Sequence, residues 1–512
     1  MISTCKAIQL FVICALISAI TNFPAAVPSS SLNTAVHTLK RYIQESYASR
    51  GYEISKDTEL LIRAVILNCW FAAQFIGGLT LFSLTEKYGR LGAFKFSVAG
   101  MGLGNLLQFI ASFTGLPELF FCGRFITGIL SPLCDTCMVM YFQECTPIHL
   151  RGTYSFLGAI GFGFCTALGM LFGNRVIFGH SIVLLTGIQL PVVILSLIFL
   201  YVFLPDTPKF LMIVKRDQKE AMKSLVFFQG EQKENLVLLQ QYADTEGMGQ
   251  KVSQKSLFHI ITKAEQHEKP ATLMEIIKLP NMRTTVYITM QIFVMVLPFS
   301  MVLQNSTFMF ESIGVEPRLA ETSSTLLFFV YTLSCIVGML VVEHFTRRIL
   351  ILTSGTLSFV FLSLFVLFST MVSYCQWLKY LSVGSVFLYV IVFGMVLSPI
   401  CWFISSELCT QRYRAMIFIV CFGFLNVFIT IANFICLVLF EKIGAMSFIP
   451  LFLLPFLFAL VYLYRYLPET KNTEAYHVSE VIKLMSEHGI TSKKAEEMYA
   501  RMQSNEHNEK PV

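Results

Sequence analysis

The chain has 512 residues, of which 55% are hydrophobic and 14% charged, and its formal net charge is +6. That is far less charge than the roughly 25% of an average soluble domain, and a soluble protein could not hide so much apolar surface. The small positive excess sits in loops, so it excludes nucleic-acid binding and reads as a bias toward one membrane face.

A membrane span needs about 20 apolar residues. Twelve candidates follow in chain order: 8–27, 64–84, 92–112, 117–141, 154–174, 182–204, 285–309, 323–343, 349–371, 378–404, 415–440 and 446–466. The first imitates a signal peptide, with Lys6 ahead of an apolar run and small residues at Ala25-Ala26-Val27. A retained span is preferred, because cleavage would break the symmetry of the two halves. Residues 28–62 read as a polar connection around Ser29-Ser30-Ser31, and residues 205–283 as the most hydrophilic stretch, with short helical patterns such as 216–227. The expected fold is an all-α membrane protein with twelve transmembrane helices in two pseudo-symmetric six-helix bundles. Its parts are an N-terminal bundle (1–204), a linker with short helices (205–284), a C-terminal bundle (285–467) and a tail (468–512), read as a short helix and then disorder.

The two halves end alike, on Pro205-Asp206-Thr207-Pro208-Lys209-Phe210-Leu211 and on Pro468-Glu469-Thr470-Lys471-Asn472. Proline stops a helix, and a basic residue past a span favours the cytoplasmic side. Basic residues also mark the connections at 85–91, 142–153, 344–348 and 405–414, which alternate with basic-poor ones. The charge rule therefore places both termini and the central linker in the cytoplasm, with the plasma membrane as the expected location. The sequon Asn305-Ser306-Thr307 lies inside a span and is read as unused. Cys134 and Cys137 form a C-x-x-C within a span, where no second ligand pair points to a metal.

Acids and arginines recur at matching places. Glu86, Lys87 and Arg90 follow the second span, and Glu343, Arg347 and Arg348 the eighth; Glu144 and Arg151 follow the fourth, and Glu407, Arg412 and Arg414 the tenth. Arginine forks onto a carboxylate bidentately. Arg90, Glu144, Arg151, Arg348, Glu407 and Arg414 are therefore expected to form a lock between the halves that breaks when they rock. The competing reading is charge snorkelling at span ends.

These strings resemble the sugar porters of the major facilitator superfamily, of the facilitative glucose transporter type. Gly123-Arg124 resembles the G-R of the fourth span, and Glu144 to Gly152 the E-x-x-P-x-x-x-R-G string. Pro205 to Leu211 resembles P-E-S-P-R-F-L, Ser398 to Phe403 the tenth-span G-P-x-P-W-F, and Pro468 to Lys471 the P-E-T-K-G string. The resemblance implies an alternating-access carrier of hexose or a hexose-like solute, working by facilitated diffusion, with no cofactor and no enzymatic activity. Its implied partners are a small-molecule substrate and the bilayer, with no nucleic acid and a monomeric carrier unit.

Departures from the pattern fall where the solute would sit. Gly158 and Ala159 stand where the family has a fifth-span Gln, Val294 to Leu297 where it has Gln-Gln, Ser300 near its Asn, and Gln304-Asn305 at its paired outer-gate Tyr. Gln291, Gln304, Asn305, Trp402 and Asn426 are the expected solute contacts, Trp402 through the resemblance. For each Asn or Gln, helix–helix bonding is the competing role. Asp135 is an acid inside the fourth span, where burial is costly. It reads as a solute, cation or proton site, a counter-charge for Arg124, or a neutral acid bonded to hydroxyls; eleven residues set it about 16 Å along the helix from Arg124, which excludes an intrahelical pair. Two further functions compete with hexose diffusion: an organic-cation or proton-coupled carrier using Asp135, and a carrier-like receptor that does not transport. The segment 7–44 contains no Asp or Glu, which favours diffusion over proton coupling.

Overall fold

The computed structural model describes residues 4–81, 84–147, 151–213, 215–230, 273–342, 344–471, 473 and 475–508. Among the described residues every regular element is helical, and twelve helices are long and apolar enough to cross a membrane. The N-terminal six are Lys6–Thr34, Lys56–Thr80, Gly89–Thr114, Pro117–Phe142, Phe156–Gly173 and Ile182–Val202. The C-terminal six are Pro280–Ser312, Pro317–Val341, Arg347–Thr370, Leu378–Cys401, Met416–Ser447 and Ile449–Tyr466. Twelve crossings bring the chain back to the face it started from. That face is the terminal face, and the opposite one the far face.

Helix reaches further along the chain than hydropathy predicts. The first helix runs Thr4–Thr34 in spite of Pro24 and Pro28, and a second, Val36–Ser49, follows after one residue. Most of the expected polar connection at 28–62 is therefore helical. Its hydroxyls are satisfied by carbonyls: Ser30 Oγ donates to Ala26 O at 2.8 Å, and Thr34 Oγ1 to Met170 O of the fifth span at 2.8 Å. The second span starts at Lys56 because Ser55 caps it, accepting from Thr58 N at 3.2 Å, with Asp57 and Glu59 on its positive end.

Two C-terminal spans are broken rather than continuous. The seventh is Pro280–Val294 followed by Leu297–Ser312, and the tenth is Leu378–Val392, a π-helical turn Phe393–Leu397, then Ser398–Glu407. Pro298 and Pro399 each stand in the first turn of the second piece, where a missing N–H costs nothing.

Small residues let the helices close on one another. A Cβ on Gly169 would meet Val27 O of the first span at 2.8 Å, and one on Gly338 of the eighth would overlap the Met395 carbonyl of the tenth. The halves meet along two seams. At one, Gly163 of the fifth span faces Tyr331 and Thr332 of the eighth; at the other, Gly423 of the eleventh faces Phe75 of the second.

The tail departs from its expected disorder. It forms two helices, Ala475–His488 and Ser492–Asn508, whose Val478, Ile482, Met485 and Ala495 are buried against the C-terminal half. Arg348 Nη1 donates to Ser492 Oγ at 3.0 Å and Glu469 N to Glu496 Oε1 at 3.1 Å, which pins the second helix.

Gly338→Val places a branched side chain on the Met395 backbone. It should cost about 1–3 kcal/mol by overpacking, visible as a lower thermal midpoint in detergent, whereas Gly384→Ala, where a Cβ would meet open space, leaves the midpoint unchanged.

Candidate functional site

The most polar part of the membrane interior lies where the two halves face each other, on the second piece of the seventh span. Asn305 there leaves helical geometry, with φ −133° and ψ 15°. In an unbroken helix the Thr307 N–H would bond the Leu303 carbonyl. Both groups instead face Asn33, at the end of the first span. Asn33 Nδ2 donates to Leu303 O at 3.0 Å and to Ser306 Oγ at 2.8 Å, while Thr307 N donates to Asn33 Oδ1 at 3.1 Å. One carboxamide from the N-terminal half thus fills the gap in a C-terminal helix. The side chain of Asn305 stays local, donating to Met301 Sδ at 3.3 Å, so this residue supplies the break rather than a free contact.

The residue before the break, Gln304, crosses the same interface. Its Nε2 donates to Leu67 O of the second span at 2.9 Å, and its Oε1 accepts from Asn433 Nδ2 of the eleventh span at 3.5 Å. Asn433 Oδ1 lies 3.0 Å from Ser300 Oγ, whose single proton it shares with Leu297 O at 2.6 Å. Leu67 O can only accept, which fixes the direction of the whole relay. Asn433 escaped the sequence reading. Its signal is position: it stands seven residues past Asn426, two turns along the same helix face. Asn426 itself donates to Phe422 O within its own helix at 2.9 Å, and Gln291 is half-buried on the first piece of the seventh span.

An aromatic wall stands beside this relay. Phe299 stacks on Phe393 of the tenth span with ring centres 4.4 Å apart and lies 5.0 Å from Tyr331 of the eighth. Tyr331 and Ser398 share a 2.5 Å hydrogen bond across the π-helical turn. Trp70, one turn from Leu67, is buried with its indole N–H unpartnered; it is a donor that the sequence did not single out. The side chains of Trp402, Arg151 and Arg414 lie outside the described residues.

Asp135 does not pair with Arg124. Arg124 Nε donates to Ile66 O at 2.8 Å and Nη1 to Pro28 O at 3.2 Å, tying the fourth span to the first and second. Asp135 is half-buried, one turn past Ser131, whose hydroxyl accepts from Gln74 Nε2 at 3.3 Å. The eleven-residue spacing agrees with Arg124 bonding elsewhere, and the acid lies on a helix face with hydroxyl and amide groups.

On the terminal face the expected ionic lock takes a different form. Arg90 Nη2 lies 2.9 Å from Glu144 Oε1, and Thr207 Oγ1 donates to the other oxygen of Glu144. Asp206 accepts from Leu91 N at 3.2 Å and from Thr207 N at 3.1 Å, and the Arg90 guanidinium lies 5.5 Å from the Phe210 ring centre. Burial pushes the Asp206 carboxyl up, opposed by those two N–H groups and by Lys215 and Arg90. The C-terminal half repeats the arrangement. Arg347 Nε lies 3.8 Å from Glu407 Oε1, Thr470 Oγ1 donates to Glu407 Oε2 at 2.6 Å, and Glu469 accepts from Arg347 N at 2.9 Å and Arg348 N at 3.1 Å.

The two described pairs close within each half, because each exit string folds back onto its own bundle; the expected lock between the halves also uses Arg151 and Arg414, whose side chains lie outside the described residues. In addition, Arg347, not Arg348, is the counterpart of Arg90. Arg348 turns outward, donating to Tyr464 O at 2.8 Å and to Ser492.

Two measurements separate these roles. Asn33→Ala leaves the Leu303 and Thr307 backbone groups without their partner, a loss of about 1–3 kcal/mol; amide exchange across residues 303–307 should rise while the terminal-face helices keep their protection. Arg348→Gln should speed tryptic cutting between residues 475 and 508 without lowering the thermal midpoint of the bundle, whereas Arg347→Gln lowers that midpoint.

Comparison with known proteins places this geometry. Residues 8–482 match the family described as "Sugar (and other) transporter". Solute carrier family 2, facilitated glucose transporter member 1 of Gallus gallus is 28% identical over 435 residues, covering 82% of this chain and 82% of that protein. Member 3 of Gallus gallus is 25% identical over 404 residues, covering 78% and 77%. In fold, the chain is similar to the proton:xylose symporter XylE bound to 6-bromo-6-deoxy-D-glucose, with a TM-score of 0.67 at 16% identity over 92% of this chain and 98% of that one. It is equally similar to the partially occluded inward open conformation of the xylose transporter XylE from E. coli, with a TM-score of 0.67 at 15% identity over 92% and 100%.

Proposed function

The chain belongs to the sugar (and other) transporter family, and from that membership we propose that it carries hexose, or a solute of hexose-like hydroxyl pattern, down its gradient by alternating access. The observation that carries this reading is the set of amide and hydroxyl groups converging at the seam between the halves: Ser300, Gln304 and Asn433, with Gln304 bonded to the opposite half. Sugar hydroxyls need donors and acceptors together, and an unmatched buried partner costs about 1–3 kcal/mol. In the far-closed form the Gln304 N–H group is spent on Leu67 O. When the halves part on that side, the same donor becomes available to a solute. Gate and site then share one hydrogen bond, so occupancy and closure compete for it.

Gln291, Trp402 and Asn426 are further proposed contacts, and the tenth-span position of Trp402 supports its role. Arg90 with Glu144, and Arg347 with Glu407, hold each bundle's terminal face together; Arg151 and Arg414, beside these carboxylates in sequence, complete the proposed network. The basic connections support a cytoplasmic terminal face with both termini inside, and the plasma membrane is the proposed location. A single chain contains both halves and the seam between them, which supports a monomeric carrier unit. Sugar-family membership disfavours the organic-cation and receptor alternatives, and the absence of acid in residues 7–44 supports downhill movement.

Uptake of labelled hexoses into liposomes carrying the purified protein tests the reading. Saturable uptake that proceeds without an imposed pH gradient is expected, and Asp135→Asn should leave it unchanged. Gln304→Ala should raise KM about tenfold, the equivalent of ~1.4 kcal/mol. A folded protein that moves no hexose, or hexose uptake that requires the pH gradient, contradicts it.

A further inference from the structure

The far-face seam carries a titratable pair that the transport site does not use. His37 stands one turn beyond Asn33, on the helix Val36–Ser49. Its Nε2 lies 2.8 Å from Glu311 Oε1, at the end of the seventh span. The pair therefore bridges the two halves, next to the gap that Asn33 fills. The His37 side chain is 43% exposed and that of Glu311 18%, so bulk water reaches both.

The surrounding charges are fixed by comparison. Arg175, between the fifth and sixth spans, lies 2.7 Å from Glu321 of the eighth, and its backbone N–H donates to the same carboxylate at 3.4 Å. Glu321 is within electrostatic reach of both His37 and Glu311. Arg63 of the second span lies 5.1 Å from the Phe308 ring centre and faces Glu59, Glu311 and Glu441. On the helix of His37 itself, Lys40 lies 3.3 Å from Glu59, and Arg41 lies 3.8 Å from Glu45 and donates to the carbonyl of His180 at 3.1 Å. Arginine and lysine stay charged across the physiological range, whereas an imidazole changes charge near about pH 6.5.

We propose that His37 and Glu311 form a proton-operated latch on the far face. Protonation turns a hydrogen bond between a neutral imidazole and a carboxylate into an ion pair, and this gain exists only while the halves are closed there. By linkage, acid favours the far-closed form and alkali releases it. An ion pair this exposed is worth roughly a two- to fivefold change in that equilibrium. In the orientation proposed above, the latch senses external pH and withdraws carriers from the outward-open pool as the outside acidifies. The proton is an effector and is not transported.

The first test needs neither the orientation nor the cargo. Hydrogen–deuterium exchange of the full chain in lipid nanodiscs is read across residues 303–312 at pH 6 and pH 8, each time as a ratio to His37→Gln at the same pH, so that intrinsic exchange cancels. Wild type should be two- to fivefold more protected than His37→Gln at pH 6 and equal to it at pH 8. His37→Lys should be more protected at both. Glu311→Gln removes the same dependence from the other side of the seam and serves if His37→Gln does not fold. A ratio that does not change with pH, or a His37→Lys protein that keeps the wild-type pH response, overturns the latch. A second measurement links it to flux: hexose influx into liposomes should show a two- to fivefold higher KM at external pH 6 than at pH 8. If the exchange result holds while no hexose moves, the latch stands and the cargo assignment falls.

Discussion

A helix cannot break inside a bilayer unless something takes over the hydrogen bonds it gives up. The seventh span breaks at Asn305, and what takes over is a side chain from the other half, Asn33. That makes the bend conditional on contact. With the halves together at the far face, the Leu303 and Thr307 backbone groups are satisfied by a carboxamide; with them apart, the same groups can satisfy each other by resuming the helix. Parting the halves costs Asn33 its partners and costs Leu303 and Thr307 theirs until the helix re-forms, so the bend is tied to the closed far face. The Gln304 contact to Leu67 comes from the residue before the break, and so the polar relay into Ser300 and Asn433 is tied to the same event.

Each bundle also has to move as a unit for such a change to be transmitted. The terminal-face brackets supply this. Arg90, Glu144, Asp206 and Thr207 in one half, and Arg347, Glu407, Glu469 and Thr470 in the other, bind an exit string across the ends of the spans before it. The polar bonds described between the halves lie toward the opposite face. Stiffening within bundles and reversible bonding between them are thus separated along the membrane normal, an arrangement suited to rocking around a central site.

Much of this was legible in the sequence. Long apolar windows gave the span count, and the exit strings at 205 and 468 gave the two halves, because a proline beside an acid and a threonine is a conspicuous signal at the end of a span. The polar seventh-span run at 304–307 coincides with the helix break at Asn305. What escaped depends on geometry that residue types do not encode. Ser30 and Thr34 look like loop residues until their hydroxyls find carbonyls within and across helices. Adjacent arginines at 347 and 348 offer no means of telling which one faces the carboxylate, and the helix start at Arg347 decides it. Asn433 reads as ordinary helix–helix bonding until Ser300 and Gln304 appear on either side of it. The tail reads as one short helix followed by disorder because its apolar residues are few, yet a second helix, Ser492–Asn508, follows the first and buries Ala495 against a surface that hydropathy does not reveal.

That tail has a mechanical consequence. Glu469 is at once the acid of the C-terminal bracket and, through its backbone N–H, a ligand of Glu496, while Ser492 is held by Arg348. The N-terminal half carries a pair of its own after its exit string, Pro208–Ile213 and Gln218–Gln229, held by Ser224 Oγ donating to Asp206 O at 2.6 Å and Gln229 Nε2 donating to Cys145 O at 3.2 Å. The two halves therefore match in load as well as in bonding: each carries helices fastened at its base. A label or fusion attached to those helices would ride with the C-terminal half and report its rotation, rather than trailing as a passive tether.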